Sequence, residues 1–370
     1  MRKIRTVLLA LLLVYAVWLV VVVLRHPYPK ETADRDPLEL QGVYHLHTKY
    51  SDGLASAESV ARSARRAGLD FIILTDHGNP NYDSFDFQGW KDGVLALSGS
   101  ELSVHRGHLV ALGFRRPAAA FSRYAETAVL EVGALGGFTI IAHPYSKTRW
   151  SWGEPVGYQG IELINGDSVL RKDVLPSLPY LPALLFRPRL TMIKMLDDPA
   201  AEMRKWDALS RDAEVYGYFS ADAHVLHRLL FSFVRLHVLL DAPLARDFEA
   251  AASSVWGALR SGRFYNAVTA AAPAAGFRFW GEQDGRVVPM GGSADPALPL
   301  TLRVRAPWSF GQTTTLIRNG ETLLVSKDTA LRLDVRAPGV YRVEVTLPER
   351  TGLRRRVPWV VSNPIFLRKD

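Results

Sequence analysis

Between residues 41 and 270 short apolar runs alternate with helical stretches, and run after run ends in a histidine or a carboxylate. LQGVY leads into His45 and His47, with Asp52 a few residues on. FIILT is followed by Asp76 and His77, GVLALS by Glu101, FTIIA by His143, and YGYFS by Asp222 and His224. VARSARRAGLD, AETAVLEVGALGG and AEMRKWDALSRDAE read as the intervening helices. This alternation predicts a largely parallel α/β sheet or a barrel. In such folds the carboxyl ends of the strands share one face, and active sites gather there. Donors from position 45 to position 224 then converge on one rim. The HxH and DxH spacings suit an extended backbone, because residues i and i+2 project to the same side and both reach one ion.

Six of the 10 histidines fall in this pattern once His108, from RGHLVALGF, is added. His105 competes for that place, but a strand beginning at His108 fits better. Together with Asp52, Glu101 and Asp222, these histidines exceed what one tetrahedral ion needs. They suit two or three divalent metals that share bridging carboxylates. The chain has no cysteine, so any metal rests on imidazole and carboxylate, which leaves Zn, Mn or Fe as candidates. Exposed strand histidines, or loop packing at His143-Pro144, are the plainer alternatives. Asp76 reads as a partner that orients a ligand. Glu162 and Asn165, in GIELINGD, either line the pocket or serve the structure. His26, His227 and His237 lie outside the pattern, as surface or core residues.

The motifs HLHTKYSDG, LTDH, GSE, AHP and SADAH resemble, in this order, those of the PHP (polymerase and histidinol phosphatase) superfamily of metallohydrolases. The resemblance spans roughly residues 41 to 230. It implies a distorted (β/α)7 barrel with a di- or trinuclear metal centre at the strand ends. Position by position, it makes His45 and His47 ligands of a first metal and Glu101 the bridging carboxylate. His108 and His143 become ligands of a second. Asp52, His77 and His224 form a third set, with Asp222 also coordinating. The tail ending in PWVVSNPIFL is similar to the extra domain of the carbaryl-hydrolase-like (CehA/McbA) branch.

The two ends of the chain differ from this middle. Thr6 to Leu24 carries no charge and as a helix would be about 28 Å long, close to a bilayer core. MRKIR precedes it, which places the basic flank in the cytoplasm and the rest of the chain on the exported side, periplasmic or extracellular. No small-x-small site follows, so an uncleaved anchor over residues 1–24 is favoured over a cleaved signal peptide. Residues 25–40 read as a linker and 41–272 as the metallohydrolase domain. From 273 to 370 the pattern alternates with period two, as in PLTLRVRA, LRLDVRA and VYRVEVTL, with turns at Asn319-Gly320 and Pro338-Gly339. This predicts an all-β, sandwich-like accessory domain with a supporting or recognition role.

The expected function is metal-dependent hydrolysis, with a metal-bridging hydroxide attacking phosphorus or an acyl carbon and with Asp76 or His77 helping to move protons. The absence of a GxSxG elbow and of cysteine fits a reaction without a protein nucleophile. A net charge of +8 and the resemblance favour a small anionic substrate, a phosphate ester first. Carboxyl or carbamate ester cleavage is the alternative. Lys147 and Arg149, just after His143, either bind a phosphate or are merely solvated. No basic run is interleaved with aromatics, so nucleic acid is not an expected partner. The reading of another class is a membrane-tethered, non-catalytic scaffold, against which the full donor set argues. The proline-broken stretch 174–196 is a lid, a membrane-resting surface or a core loop.

Overall fold

The computed structural model describes residues 2–25, 36–145, 157–171, 175–309, 311–351, 353 and 356–368. Lys147, Arg149 and His26 lie outside the described residues, as does most of the expected linker.

The chain opens with α1 (Arg2–Arg25), apolar and almost wholly exposed. The middle region then runs β1 (Glu39–Leu46), α2 (Ala57–Arg66), β2 (Phe71–Leu74), α3 (Tyr82–Asp86), β3 (Gly89–Lys91), β4 (Val94–Ser98), β5 (Ser100–Val104), β6 (Gly107–Leu112), α4 (Ala125–Ala134), β7 (Phe138–Ile141) and β8 (Gly160–Asn165). It continues with α5 (Gly166–Arg171), a 3-10 stretch (Leu175–Leu185), α6 (Pro188–Met195), α7 (Ala200–Ser210), β9 (Tyr216–Ser220), α8 (His227–Leu230), β10 (Arg235–Leu239), α9 (Phe248–Arg260) and β11 (Phe264–Ala267).

Local chemistry explains the helices. Ser56 caps α2 by accepting from Ser59 N, and Arg65 and Arg66 sit in the last turn, where cations favour the helix end. The buried face of α2 is Ala57, Val60, Ala61 and Ala64, small residues at helical spacing that let the helix lie close on the strands. Asp247 caps α9 in the same way.

The strands divide between two sheets. In one, β1, β2 and β4 run parallel. In the other the order is β5-β6-β7-β8-β9, with β7, β8 and β9 parallel and the β5-β6 and β6-β7 pairs antiparallel. The sheets meet at two bridges, Leu46 with Ala223 and His77 with Glu101. Tyr44, Ile73 and Leu97 of the first share one buried cluster with Val110, Ile140 and Tyr218 of the second. The alternation of strand and helix is as the sequence suggests. The antiparallel hairpin of β5 and β6 is not, because a two-residue His105-Arg106 turn leaves no room for a helix there.

The C-terminal strands are β12 (Arg278–Gln283), β13 (Arg286–Pro289), β14 (Ser293–Ala294), β15 (Leu300–Arg305), β16 (Thr313–Arg318), β17 (Glu321–Ser326), β18 (Ala330–Val335), β19 (Gly339–Thr346), β20 (Val360–Ser362) and β21 (Ile365–Leu367). A four-stranded sheet, β13-β12-β15-β18, packs through Phe279 and Leu302 into the same core as Leu316, Val343 and Trp359. The other layer is not self-contained. β20 pairs with β11, β11 with β10, and β10 with β1, so one sheet runs from the first strand through position 272 into the C-terminal strands.

Candidate metal centre

All nine expected donors fall on one rim, in three groups whose ligand atoms lie within 4.8 Å of one another. His45, His47, Glu101 and Asp222 form the first, Glu101, His108 and His143 the second, and His47, Asp52, His77 and His224 the third. Glu101 belongs to two groups and so does His47. Asp222 sits with the first group, not with the third.

The backbone places these side chains less simply than alternation suggests. His45 stands at a bulge in β1, between the pairs Tyr44–Ile73 and Leu46–Leu74, with φ of 64°. The bulge, and not a regular pleat, turns His45 and His47 toward the same carboxylate. His143 and Asp222 also have positive φ, 25° and 45°. Left-handed backbone at non-glycine residues costs on the order of 1–3 kcal/mol each, and here it coincides with three ligand candidates. His108 opens β6 instead of ending a strand. Because β6 is antiparallel to β7, its start lies beside the end of β7, which brings His108 to His143. His105 is exposed, its ring tilted against that of Tyr124 at 4.9 Å, outside the cluster.

Distances within the groups fit metal coordination. Arms of about 2.1 Å set tetrahedral ligands about 3.4 Å apart. His45 Nε2 and His47 Nε2 are each 3.2 Å from Glu101 Oε2, and 3.5 and 3.3 Å from Asp222 Oδ1. Glu101 Oε1 is 3.1 Å from His108 Nδ1 and 2.9 Å from His143 Nε2, and those two nitrogens are 3.3 Å apart. Asp52 Oδ2 is 3.2 Å from His224 Nε2 and 3.7 Å from His77 Nε2. His45 Nε2, both ring nitrogens of His47, His77 Nδ1 and Asp222 Oδ1 are buried without a hydrogen-bond partner. Buried polar atoms are normally satisfied. Cation-seeking donors aimed at common points explain these exceptions.

The electrostatics agree. Burial pushes the Glu101 and Asp222 carboxyls up, but the surrounding histidines hold both below their ordinary range. Burial lowers His45 and His47, yet Asp222, Glu101 and, for His45, Glu162 outweigh it, raising His45 well above its usual value and His47 to about 9. Without a metal these carboxylates attract protons onto the rings, and a divalent cation competes for the same field. His77 moves the other way, downward by burial.

Two carboxylates organise the donors from outside. Glu162, in β8, has Oε1 2.6 Å from His45 Nδ1 and accepts from Tyr44 Oη at 2.7 Å. Its Oε2 accepts from His143 N and from Asn165 Nδ2, both at 2.8 Å. Asn165 also donates to Asp222 Oδ2 at 3.0 Å. A proton on His45 Nδ1 held by Glu162 leaves Nε2 for a metal, so Glu162 fixes the tautomer. Its sequence signal is a lone acid inside the apolar strand GIELIN. Asp76, expected to orient a ligand or move protons, is bonded to the loop that follows β1. It accepts from Thr48 N (2.7 Å), Thr48 Oγ1 (2.9 Å) and Ser51 Oγ (2.7 Å). It shapes the turn that carries Asp52. His227 is buried, with Nε2 2.9 Å from the His47 carbonyl.

Residues 44–132 match the PHP domain family. Among solved structures, the chain is similar to a two-domain protein from Bacteroides vulgatus containing a predicted PHP-like metal-dependent phosphoesterase. The identity is 16%, with a TM-score of 0.40, over 92% of this chain and 98% of that one. It is also similar to an amidohydrolase from Chromobacterium violaceum with bound sulfate, at 16% identity and a TM-score of 0.31, over 50% of this chain and 87% of that one. A protein from Bifidobacterium adolescentis described as a metal-dependent phosphoesterase shares 14% identity, with a TM-score of 0.30 and the same coverages, 50% and 87%. No curated protein matches.

Proposed function

We propose that this protein is a metal-dependent hydrolase of small anionic esters, phosphate esters first, with two or three Zn, Mn or Fe ions held on the rim. The observation that carries this is the chain of three donor groups joined through Glu101 and His47. Bound there, divalent ions would activate water and neutralise charge developing on the ester oxygens.

The chain's own residues supply the rest. Glu101 spans the first and second groups, one oxygen to each. His45, locked by Glu162, and His47 complete the first group with Asp222. His108 and His143 complete the second. The third group is the open one, since the Asp52 side chain is 54% exposed while that of Glu101 is 1% exposed. His77 lies between the first and third groups, its Nδ1 3.4 Å from Glu101 and its Nε2 facing Asp52. It is the ring best placed to carry a proton between the buried side and the solvent side. In this reading the two sheets are halves of a distorted barrel, and α1 anchors the molecule with its bulk on the exported side.

A second reading is cleavage of a carboxyl or carbamate ester of the carbaryl-hydrolase type. It is favoured by exposed Leu54, Val225 and Leu226 beside Asp52 and His224, an apolar rim suited to an uncharged substrate.

The test is elemental analysis of full-length protein purified without chelators, followed by phosphate, carboxyl and carbamate esters compared on the same preparation. About two to three Zn, Mn or Fe per chain and turnover lost in Glu101→Ala are expected. A trace of metal even after adding it back would sink the reading and bring the scaffold alternative forward.

A further inference from the structure

An arginine-lined cleft and an exposed apolar turn adjoin each other, and none of the nine metal-donor candidates lines the cleft. The 3-10 stretch from Leu175 to Leu185 contains Pro179 and Pro182. Leu178, Leu181 and Leu184 are exposed along it, and Leu185 and Phe186 are 82% and 74% exposed. So large an apolar face marks a partner or a membrane. The stretch lies against α1. Tyr15 Oη donates to Pro179 O at 2.8 Å, and the Trp18 ring is 5.4 Å from that of Tyr180. Trp18 is about 10 Å along the helix from Arg25. If α1 crosses a bilayer, its neighbour enters the same leaflet, with the Trp18 contact at about that depth and the Tyr15 contact about 15 Å from Arg25.

The cleft, about 790 Å³, lies between the end of α2, α8 and the start of α6. Arg66, Arg189, Arg228 and Arg235 line it, with Leu184 and Leu226. Among its described lining residues there is no carboxylate. Arg235 is buried and held in place by the carbonyls of Phe231 (3.0 Å) and Ala67 (2.9 Å) and by Gln41 Oε1 (2.6 Å). Guanidinium groups grouped in this way match a phosphate. Leu184 belongs to both features, so the cationic cleft opens onto the apolar face.

We propose that this cleft binds the phosphate of an anionic phospholipid whose acyl chains lie along the Leu181–Phe186 face. The apolar turn argues against a ligand that is only charged, and the arginines argue against one that is only greasy. The proposal rests on reading α1 as an anchor and is independent of the hydrolase reading.

The experiment uses the full chain in phosphatidylcholine nanodiscs with and without phosphatidic acid, and native mass spectrometry counts lipids kept after transfer to detergent. The unaltered protein should keep phosphatidic acid over phosphatidylcholine by about tenfold, and Arg66→Gln/Arg228→Gln should remove that preference. Both arginines are exposed, so folding should survive, and unchanged metal content checks this separately from the hydrolase question. Leu185→Gln/Phe186→Gln should also reduce retention. Equal retention by the arginine variant, or no preference in the unaltered protein, overturns the proposal. Full competition by glycerol 3-phosphate would mean a soluble phosphate ligand and overturns it too. Failure to enter the discs would remove the anchor reading and this proposal with it.

Discussion

At the scale of single residues, the donors were legible because most of them follow an apolar run, so that burying the run delivers the donor to the strand end, His108 at the start of β6 being the exception. Residues such as Glu162 were harder to assign, because an acid inside a strand carries no label saying which ring it meets across the fold. The contact with His45 Nδ1 gives it a role that a substitution can isolate. Glu162→Gln keeps the shape and a bond to Tyr44 but no longer dictates the His45 tautomer. It should weaken metal affinity about 10- to 100-fold, as loss of an outer partner commonly does. Metal titration of the apo protein checks this, and affinity equal to that of the unaltered protein would reduce Glu162 to packing. Asp76 makes the opposite case. Asp76→Asn should act through the Thr48–Ser51 turn, loosening the third, exposed group more than the first two. The measurement is the number of ions retained after brief chelation, with one fewer expected in the variant.

At the scale of elements, turns decide what periodicity cannot. The alternation of His45 and His47 suggested a plain strand, yet a bulge performs the turning, and nothing in the spacing announces one. The SDG turn is similarly constrained. A Cβ at Gly53 would lie 2.4 Å from the His47 carbonyl oxygen and 2.6 Å from Thr48 N. Gly53→Ala must therefore shift Asp52 or His47, and metal occupancy should fall while the far sheet is untouched. The seam of β1, β10, β11 and β12 carries a pH dependence. Burial would raise the Glu39 carboxyl, but His237, Tyr265 and Arg278 hold it at about 2. Arg278 Nη1 donates to Glu39 Oε2 at 2.5 Å and Tyr265 Oη to Oε1 at 2.5 Å. A depressed carboxyl stabilises the fold fully above its unfolded value near 4.5, and that gain is lost as pH falls toward 2. The gain is about 3 kcal/mol from a shift of this size. Glu39→Gln should cost roughly this at pH 7, and the gap between variant and parent should narrow below pH 4.5 in denaturant titrations. A gap that stays constant down to pH 3 would mean that Glu39 contributes shape and not charge.

At the scale of the whole molecule, the composition break near residue 273 is visible in sequence, but the pairing across it is not, because strand order is a long-range property. β20 completes the edge of β11, and Asn363 reaches both neighbours, accepting from Gly217 N at 2.8 Å and donating to Phe264 O at 3.0 Å. Tyr216 Oη donates to Gly291 O at 3.0 Å. Arg342, buried, grips Asp207 of α7 through two bonds of 2.9 Å. β9 and α7, tied down in this way, are the elements that flank Asp222. The C-terminal strands thus brace the candidate rim through the strand that leads into Asp222 and His224. A chain stopped after residue 272 would expose the β11 edge and leave Asp207, Tyr216 and Gly217 without these partners. An open, apolar edge invites aggregation. The truncated chain should be insoluble or unfold well below the parent temperature, and breaking the Arg342–Asp207 pair alone, as Arg342→Ala, should cost about 3–5 kcal/mol. If the truncated chain were soluble, unfolded cooperatively and held the parent's metal content, the C-terminal strands would be an accessory after all. If it failed while Arg342→Ala stayed folded with reduced metal, the tie from α7 and β9 to Asp222 would be the route by which the two halves depend on each other.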